Sequence, residues 1–291
     1  MKIMYTFYLL LLAGPLHSHV AKMESTINSP ITKDYSEMLP EELKKTLMEV
    51  ITQNNEDKVS KILAQPLAKS FSEYDLRDAL ELAAKNNYVK IAHKLIEAGA
   101  DIKERYCYAL EDAAEKGHKD MVKALLPVLG SDKRDYSKCY FMDINYFNEK
   151  RDVALIRASK NGHSDVMKEL IDAGANVNYQ DNFGRIALVE AAKNGHAGAV
   201  KELIKAKVKV NAFNKNGETA LNIAMYLRNV EVIRELLMSP GIDVSSKVSD
   251  IQRSYEAYLK RPAILKNLLE NDENDKKDIQ IFELFKPFMK L

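Results

Sequence analysis

Tryptophan is absent from the 291 residues, cysteine occurs twice, and glycine and proline are sparse at 11 and 8. Two thiols, Cys107 and Cys139, are too few for a four-ligand zinc site or a disulfide-dense scaffold, so stability has to come from buried apolar surface. The shortage of turn formers argues against an all-β chain and favours helix. An excess of one charge is also lacking. Lys and Arg number 43 against 42 Asp and Glu, so no chain-wide basic surplus makes nucleic acid the default partner. There is no Gly-x-Gly-x-x-Gly, P-loop, Gly-x-Ser-x-Gly, His-Glu-x-x-His or calcium loop, so no enzyme class is indicated and no cofactor is expected. The remainder, 46% hydrophobic and 29% charged residues, is the composition of a globular protein and excludes disorder, collagen or a multi-span membrane chain.

The long apolar run stands at the N-terminus. Lys2 precedes Ile3 to Leu12, and Ala13-Gly14-Pro15 ends the run before small residues at Ser18 and Ala21. The pattern predicts a signal peptide over residues 1–21, because an apolar core of about 10–14 residues falls short of the ~20 that a spanning helix needs. An uncleaved membrane anchor and a buried N-terminal helix are the alternatives. Residues 22–39 are polar and irregular, as in a tether. The expected location is therefore secreted or periplasmic, with membrane anchorage through an uncleaved N-terminus as the other reading.

Internal repetition dominates the chain beyond residue 40. The segments ALELAAKNN (79–87), ALEDAAEKGH (109–118), ALIRASKNGH (154–163), ALVEAAKNGH (187–196) and ALNIAMYLRN (220–229) superimpose, and TLMEVITQNN (46–55) does so more loosely. Their marker leucines, Leu47, Leu80, Leu110, Leu155, Leu188 and Leu221, are spaced by 33, 30, 45, 33 and 33 residues. A fixed period of this length signals a stack of supersecondary units. In each unit small residues such as Ala191 and Ala192 give a first helix a close-packing face. Val200, Leu203 and Ile204 then repeat the spacing of a second, antiparallel helix. Gly117, Gly162 and Gly195 fit the left-handed position after a helix, with Asn87 and Asn55 as substitutes.

With its 33-residue period, its Ala-Leu-x-x-Ala-Ala opening, its Asn-Gly-His turn and the Gly-Ala-Asn-Val-Asn exit at 174–178, the chain resembles the ankyrin repeat family over residues 41 to about 245. The resemblance implies an all-α solenoid of about six helix-turn-helix units spanning 40–245, joined by short hairpin loops. An irregular insertion at 127–151 and a C-terminal helical cap or tail at 246–291 complete it. The family's Thr-Pro-Leu-His tetrad is reduced to Thr219-Ala220-Leu221-Asn222 and to Ile186-Ala187-Leu188-Val189, and Lys207 replaces a turn glycine, so weaker joints between units are expected.

The resemblance also implies a protein-binding module rather than an enzyme, with partners meeting the hairpin tips and the exposed side of the first helices. Candidate contacts are Asn182, Phe183 and Arg185 on one tip and Lys215, Asn216 and Glu218 on the next. Phe183 is either a partner anchor or packed on Tyr179 or Phe213. Lys85, Lys116, Lys160 and Lys193 recur near the ends of first helices; they suit an acidic partner, or merely answer the local helix dipole. Tyr140 and Phe141 in the insertion either bind or seal an irregular joint. Cys107 and Cys139 could pair if the enlarged loop folds back, the alternative being two separately packed thiols. His118, His163 and His196 occupy equivalent places on helices about 8–10 Å apart, too far for one metal, and the resemblance gives them turn-bonding roles. The expected partner is another protein of unknown identity. No nucleic acid, no stable membrane span after signal cleavage and a monomeric chain are expected. The resemblance to ankyrin proteins with signal-like N-termini suggests a secreted bacterial effector; a periplasmic or envelope structural or protective factor is the alternative.

Overall fold

A computed structural model describes residues 35–100, 107–130, 144–245, 247–248, 251, 253 and 272–289. The signal-peptide reading of 1–21, most of the tether, Cys139, Tyr140 and Phe141 lie outside these residues.

Six helical hairpins follow one another. They are α1 (Pro40–Thr52) with α2 (Glu56–Leu63), α3 (Glu73–Lys85) with α4 (Val89–Glu97), and α5 (Cys107–Glu115) with α6 (Lys119–Gly130). The series continues as α7 (Ile144–Asn161) with α8 (Ser164–Asp172), α9 (Ala187–Lys193) with α10 (Ala197–Lys205), and α11 (Ala220–Tyr226) with α12 (Val230–Leu237). A final helix, α13 (Glu273–Phe285), closes the array. First helices pack on first helices and second on second. The architecture is the all-α repeat solenoid that the period predicts. Between the last units the connections rise into two fingers, each pinned by one antiparallel bridge, Gln180 with Ile186 and Phe213 with Thr219.

All six marker leucines are buried in one continuous core. Removing each from water contributes about 1.5–3 kcal/mol. Ala83, Ala84, Ala113, Ala114, Ala191 and Ala192 are fully buried beside them, which lets the first helices approach closely. The left-handed residue after the first helix is Asn54, Asn87, Gly117, Gly162, Gly195 or Arg228. In the first unit it is thus Asn54, one residue before the expected Asn55, whose side chain instead accepts from Lys58 N at 3.0 Å to start α2. Lys207 does adopt the left-handed backbone of the turn glycine it replaces, at φ 59°.

The joints are tied by contacts other than the lost tetrad. His118 and His163 point Nε2 at carbonyl oxygens of the preceding unit, Lys85 O at 3.2 Å and Glu115 O at 2.9 Å. They bridge repeats rather than close their own turns. Asn229 replaces the histidine in the sixth unit and donates to Ala192 O at 3.2 Å. On the other side of the stack, Asn178 Oδ1 accepts from Lys209 N at 2.7 Å and Asn211 Oδ1 from Asp243 N at 2.9 Å. The stack also reaches back beyond residue 40, since Met38 is buried and Tyr35 packs against the core.

Both described flanks of the 127–151 insertion are helical. Residues 127–130 end α6, and 144–151 lengthen α7 by about two turns. That extension, together with Asp152 just after it, clamps the exit turn of its own unit. Tyr179 donates to Glu149 at 2.9 Å, and Asp152 Oδ1 accepts from Asn176 N at 2.6 Å. Burial and the Glu149 carboxylate push the Tyr179 hydroxyl up to about 12. Burial also raises the Asp152 carboxyl above its ordinary value, against the Asn176 hydrogen bond that lowers it. A carboxyl raised on folding binds more protons in the native state, so its contribution to stability falls as pH rises from the ordinary carboxylate value through the raised one. Asp152→Asn, which keeps an acceptor for Asn176 N, is therefore expected to raise the urea midpoint at neutral pH. The advantage should vanish in acid; an equal gain at both pH values would contradict this account.

The cap covers the open end of the array. Phe285 is fully buried, Ile281 and Met289 nearly so, and all three join the common core. Arg228, in the turn of the sixth unit, meets Asp278 of α13 at 2.7 Å. Ile251 is buried on the same core from the segment that follows the last hairpin.

Candidate functional site

The first-helix side of the stack divides into two halves of different character. Across the second to fourth units many of the charges pair with one another. Glu111 is buried under Arg157 at 2.6 Å and Lys150 at 3.3 Å, and Arg157 also meets Glu115 at 2.7 Å. Lys85 lies 3.5 Å from both Glu81 and Asp112. The lysine row expected here is interrupted. Lys85, Lys160 and Lys193 share one register, but Glu115 takes that place in the third unit, and Lys116, one residue on, donates to Lys85 O at 2.9 Å. Lys160 and Lys193 are exposed and have no charged partner among the described residues.

The C-terminal half carries the fingers, and each finger is held by one residue. Asp181 Oδ1 accepts from Phe183 N at 2.9 Å and Arg185 N at 2.8 Å, while Oδ2 accepts from Arg185 Nε at 2.6 Å. Asn214 Oδ1 does the same for Asn216 N at 2.9 Å and Glu218 N at 3.0 Å. These are Asx turns, in which a short polar side chain replaces a backbone acceptor. Asp181 and Asn214 are not among the residues expected from the sequence, although the shared spacing of Asp181 to Gly184 and Asn214 to Gly217 carries the signal. Gly184 is required by close approach, because a Cβ there would collide with the Lys215 stem of the next finger.

So supported, the fingers present their side chains to solvent. Phe183 is 75% exposed and Phe213 65% exposed, so Phe183 packs on neither Tyr179 nor Phe213. Its companion is Arg185, whose guanidinium lies 5.1 Å from the ring centroid. An open cleft of ≈ 380 Å³ separates the fingers, lined by Gln180, Asp181, Asn182, Phe213, Asn214 and Lys215 among others. Beneath them Ile186, Val189 and Ile223 form a small apolar cluster separate from the main core. Tyr226, in the register of Lys160 and Lys193, is 84% exposed, and Leu227 follows it. Neither is among the expected contacts, although the superposition of units places Tyr226 on this face.

Of the predicted contacts, Asn182, Phe183, Arg185, Lys215, Asn216 and Glu218 come together on the two fingers, and Lys160 and Lys193 stand on the adjoining first helices. Glu218 is engaged by Asn214 at 2.9 Å and Asn216 at 3.5 Å. Tyr140, Phe141 and the Cys107–Cys139 pairing fall outside the described residues; Cys107 itself opens α5. Among the described residues no group of three or more His, Cys, Asp or Glu is placed to hold a metal ion, and no helix is long and apolar enough to cross a membrane.

A family model described as ankyrin repeats in three copies matches residues 105–181 and 155–248. A curated relative, the ankyrin repeat and KH domain-containing protein mask-1 of Caenorhabditis elegans, is 30% identical over 118 residues. The match covers 34% of this chain and 4% of the relative, so the chain spans a small part of that protein. Ankyrin repeats are generally protein–protein interaction modules. The family match, the buried leucine ladder and the stacked hairpins with their fingers agree, and the chain belongs to the ankyrin-repeat family.

Proposed function

We propose that the chain binds a partner protein through the first-helix face of its fifth and sixth units, with the two fingers as the principal contact. The observation that carries this reading is the exposure of Phe183 and Phe213 on fingers whose backbones are rigidly held. A large aromatic left in water has no value to folding, whereas at an interface it supplies contact area with little conformational entropy to lose. The fingers are already ordered, which lowers the cost of association. The double substitution Phe183→Ala with Arg185→Ala is expected to abolish capture of the partner in a pull-down while the helical circular dichroism spectrum stays unchanged. Undiminished capture would move the site away from the fingers.

We further propose that the chain is exported, as a secreted effector of a bacterium. The apolar run Ile3 to Leu12 behind Lys2 supports this. Cell fractionation tests it: recovery of the chain outside the producing cell is expected. Retention in the periplasm would favour the envelope role, and retention in the cytoplasm would remove both.

A further inference from the structure

We infer that the partner segment held by the fingers is acidic, and that Arg185 selects it by taking one of its carboxylates. The inference rests on the binding reading above and narrows it. Arg185 is oriented before anything binds. Asp181 holds its Nε at 2.6 Å and the Phe183 ring packs on its face at 5.1 Å. Its two terminal nitrogens meet no acceptor among the described residues. A guanidinium held by one edge and one face presents the remaining edge as a planar fork, the geometry that matches a carboxylate bidentately. Its rotamer entropy is lost on folding rather than on binding.

The surroundings favour an anion. Lys215, whose stem crosses Gly184 beside the cleft, is exposed and carries no counter-charge among the described residues. Of the two carboxylates on the fingers, Asp181 is spent on Arg185 and on the finger backbone, and Glu218 on Asn214 and Asn216. Phe183 stands exposed against Arg185 and Phe213 lines the cleft between the fingers, so an apolar side chain adjoining the carboxylate has an aromatic surface to cover. Acidic residues interspersed with bulky apolar ones are thus the matching chemistry, and a basic segment would meet the uncompensated charge of Lys215 and find no carboxylate left to pair with on the fingers.

Panning the full chain against displayed random peptides tests this without a partner in hand. Enrichment of peptides combining Asp or Glu with Phe, Leu, Ile or Met is expected. Their affinity should fall about tenfold or more in Arg185→Lys, which keeps the charge but loses the fork, and little in Lys215→Arg. Peptides that bind through Phe183 and Phe213 yet are neutral or basic, or that ignore Arg185→Lys, would overturn the acidic assignment alone. Binders unmoved by Phe183→Ala, or no binders at all, would overturn the finger reading itself. Displacement of the peptides by a single-stranded oligonucleotide at equal charge would mean a nucleic-acid surface instead, and would also refute the inference.

Discussion

Replacing Gly162 with alanine is expected to destabilise the protein by about 2–5 kcal/mol, the sum of a backbone and a packing penalty. Gly162 has φ +75°, where any residue with a Cβ costs about 1–2 kcal/mol. The added Cβ would also stand 2.6 Å from His196 Nδ1, so the histidine of the next unit must move. Since a repeat array is stabilised by its nearest-neighbour interfaces, loss at this joint should separate the fourth from the fifth unit. Urea unfolding followed by circular dichroism should change from one transition to two. Gly217→Ala isolates the backbone part, because Gly217 has φ +76° and nothing lies within 4 Å of its added Cβ. That variant should lose only about 1–2 kcal/mol. Equal losses at the two sites would show that the His196 contact has no energetic consequence.

The second large effect is expected at the cap. Phe285→Ala should cost about 3–5 kcal/mol, since Phe285 is fully buried between α13 and the last unit and its removal leaves a cavity at the end of the core. Phe288, 38% exposed on the following turn, should cost less than about 1.5 kcal/mol when truncated. Because each unit touches only its neighbours, the damage should be local. Hydrogen exchange is expected to accelerate in α11, α12 and α13 while α1 to α4 keep their protection. Acceleration spread evenly over all six units would mean that the stack unfolds as one block and that the cap is not an end-cover.

The site is partly legible in the sequence. Phe183, Arg185, Lys193 and Lys215 can be placed on one face because register along the chain repeats in space. Whether Phe183 is free or packed cannot be decided that way, since it depends on how far apart neighbouring fingers stand. The break in the lysine row is hidden for a related reason. Lys116 has neighbours like those of Lys85, Lys160 and Lys193, but it stands one residue later in its unit, in the turn just past the end of α5 instead of on its last helical position. Its ammonium therefore turns to the Lys85 carbonyl instead of lining the row.

The six units, their leucine ladder and their antiparallel helix pairs were determined by local information: the 33-residue recurrence and the 3.6-residue spacing of apolar side chains within each unit. Which charges are neutral and which are free was decided only by stacking. Arg157 and Glu115 are 42 residues apart and Arg228 and Asp278 are 50 apart, so no short window of sequence contains either pair. A charge is quenched by whatever carboxylate lies within about 4 Å, since its field falls with distance and water screens the remainder. In this chain that distance is set by the packing of one hairpin on the next, which is why Glu111 is closed off by Arg157 and Lys150 of the following unit while Lys215 on its finger meets no carboxylate among the described residues.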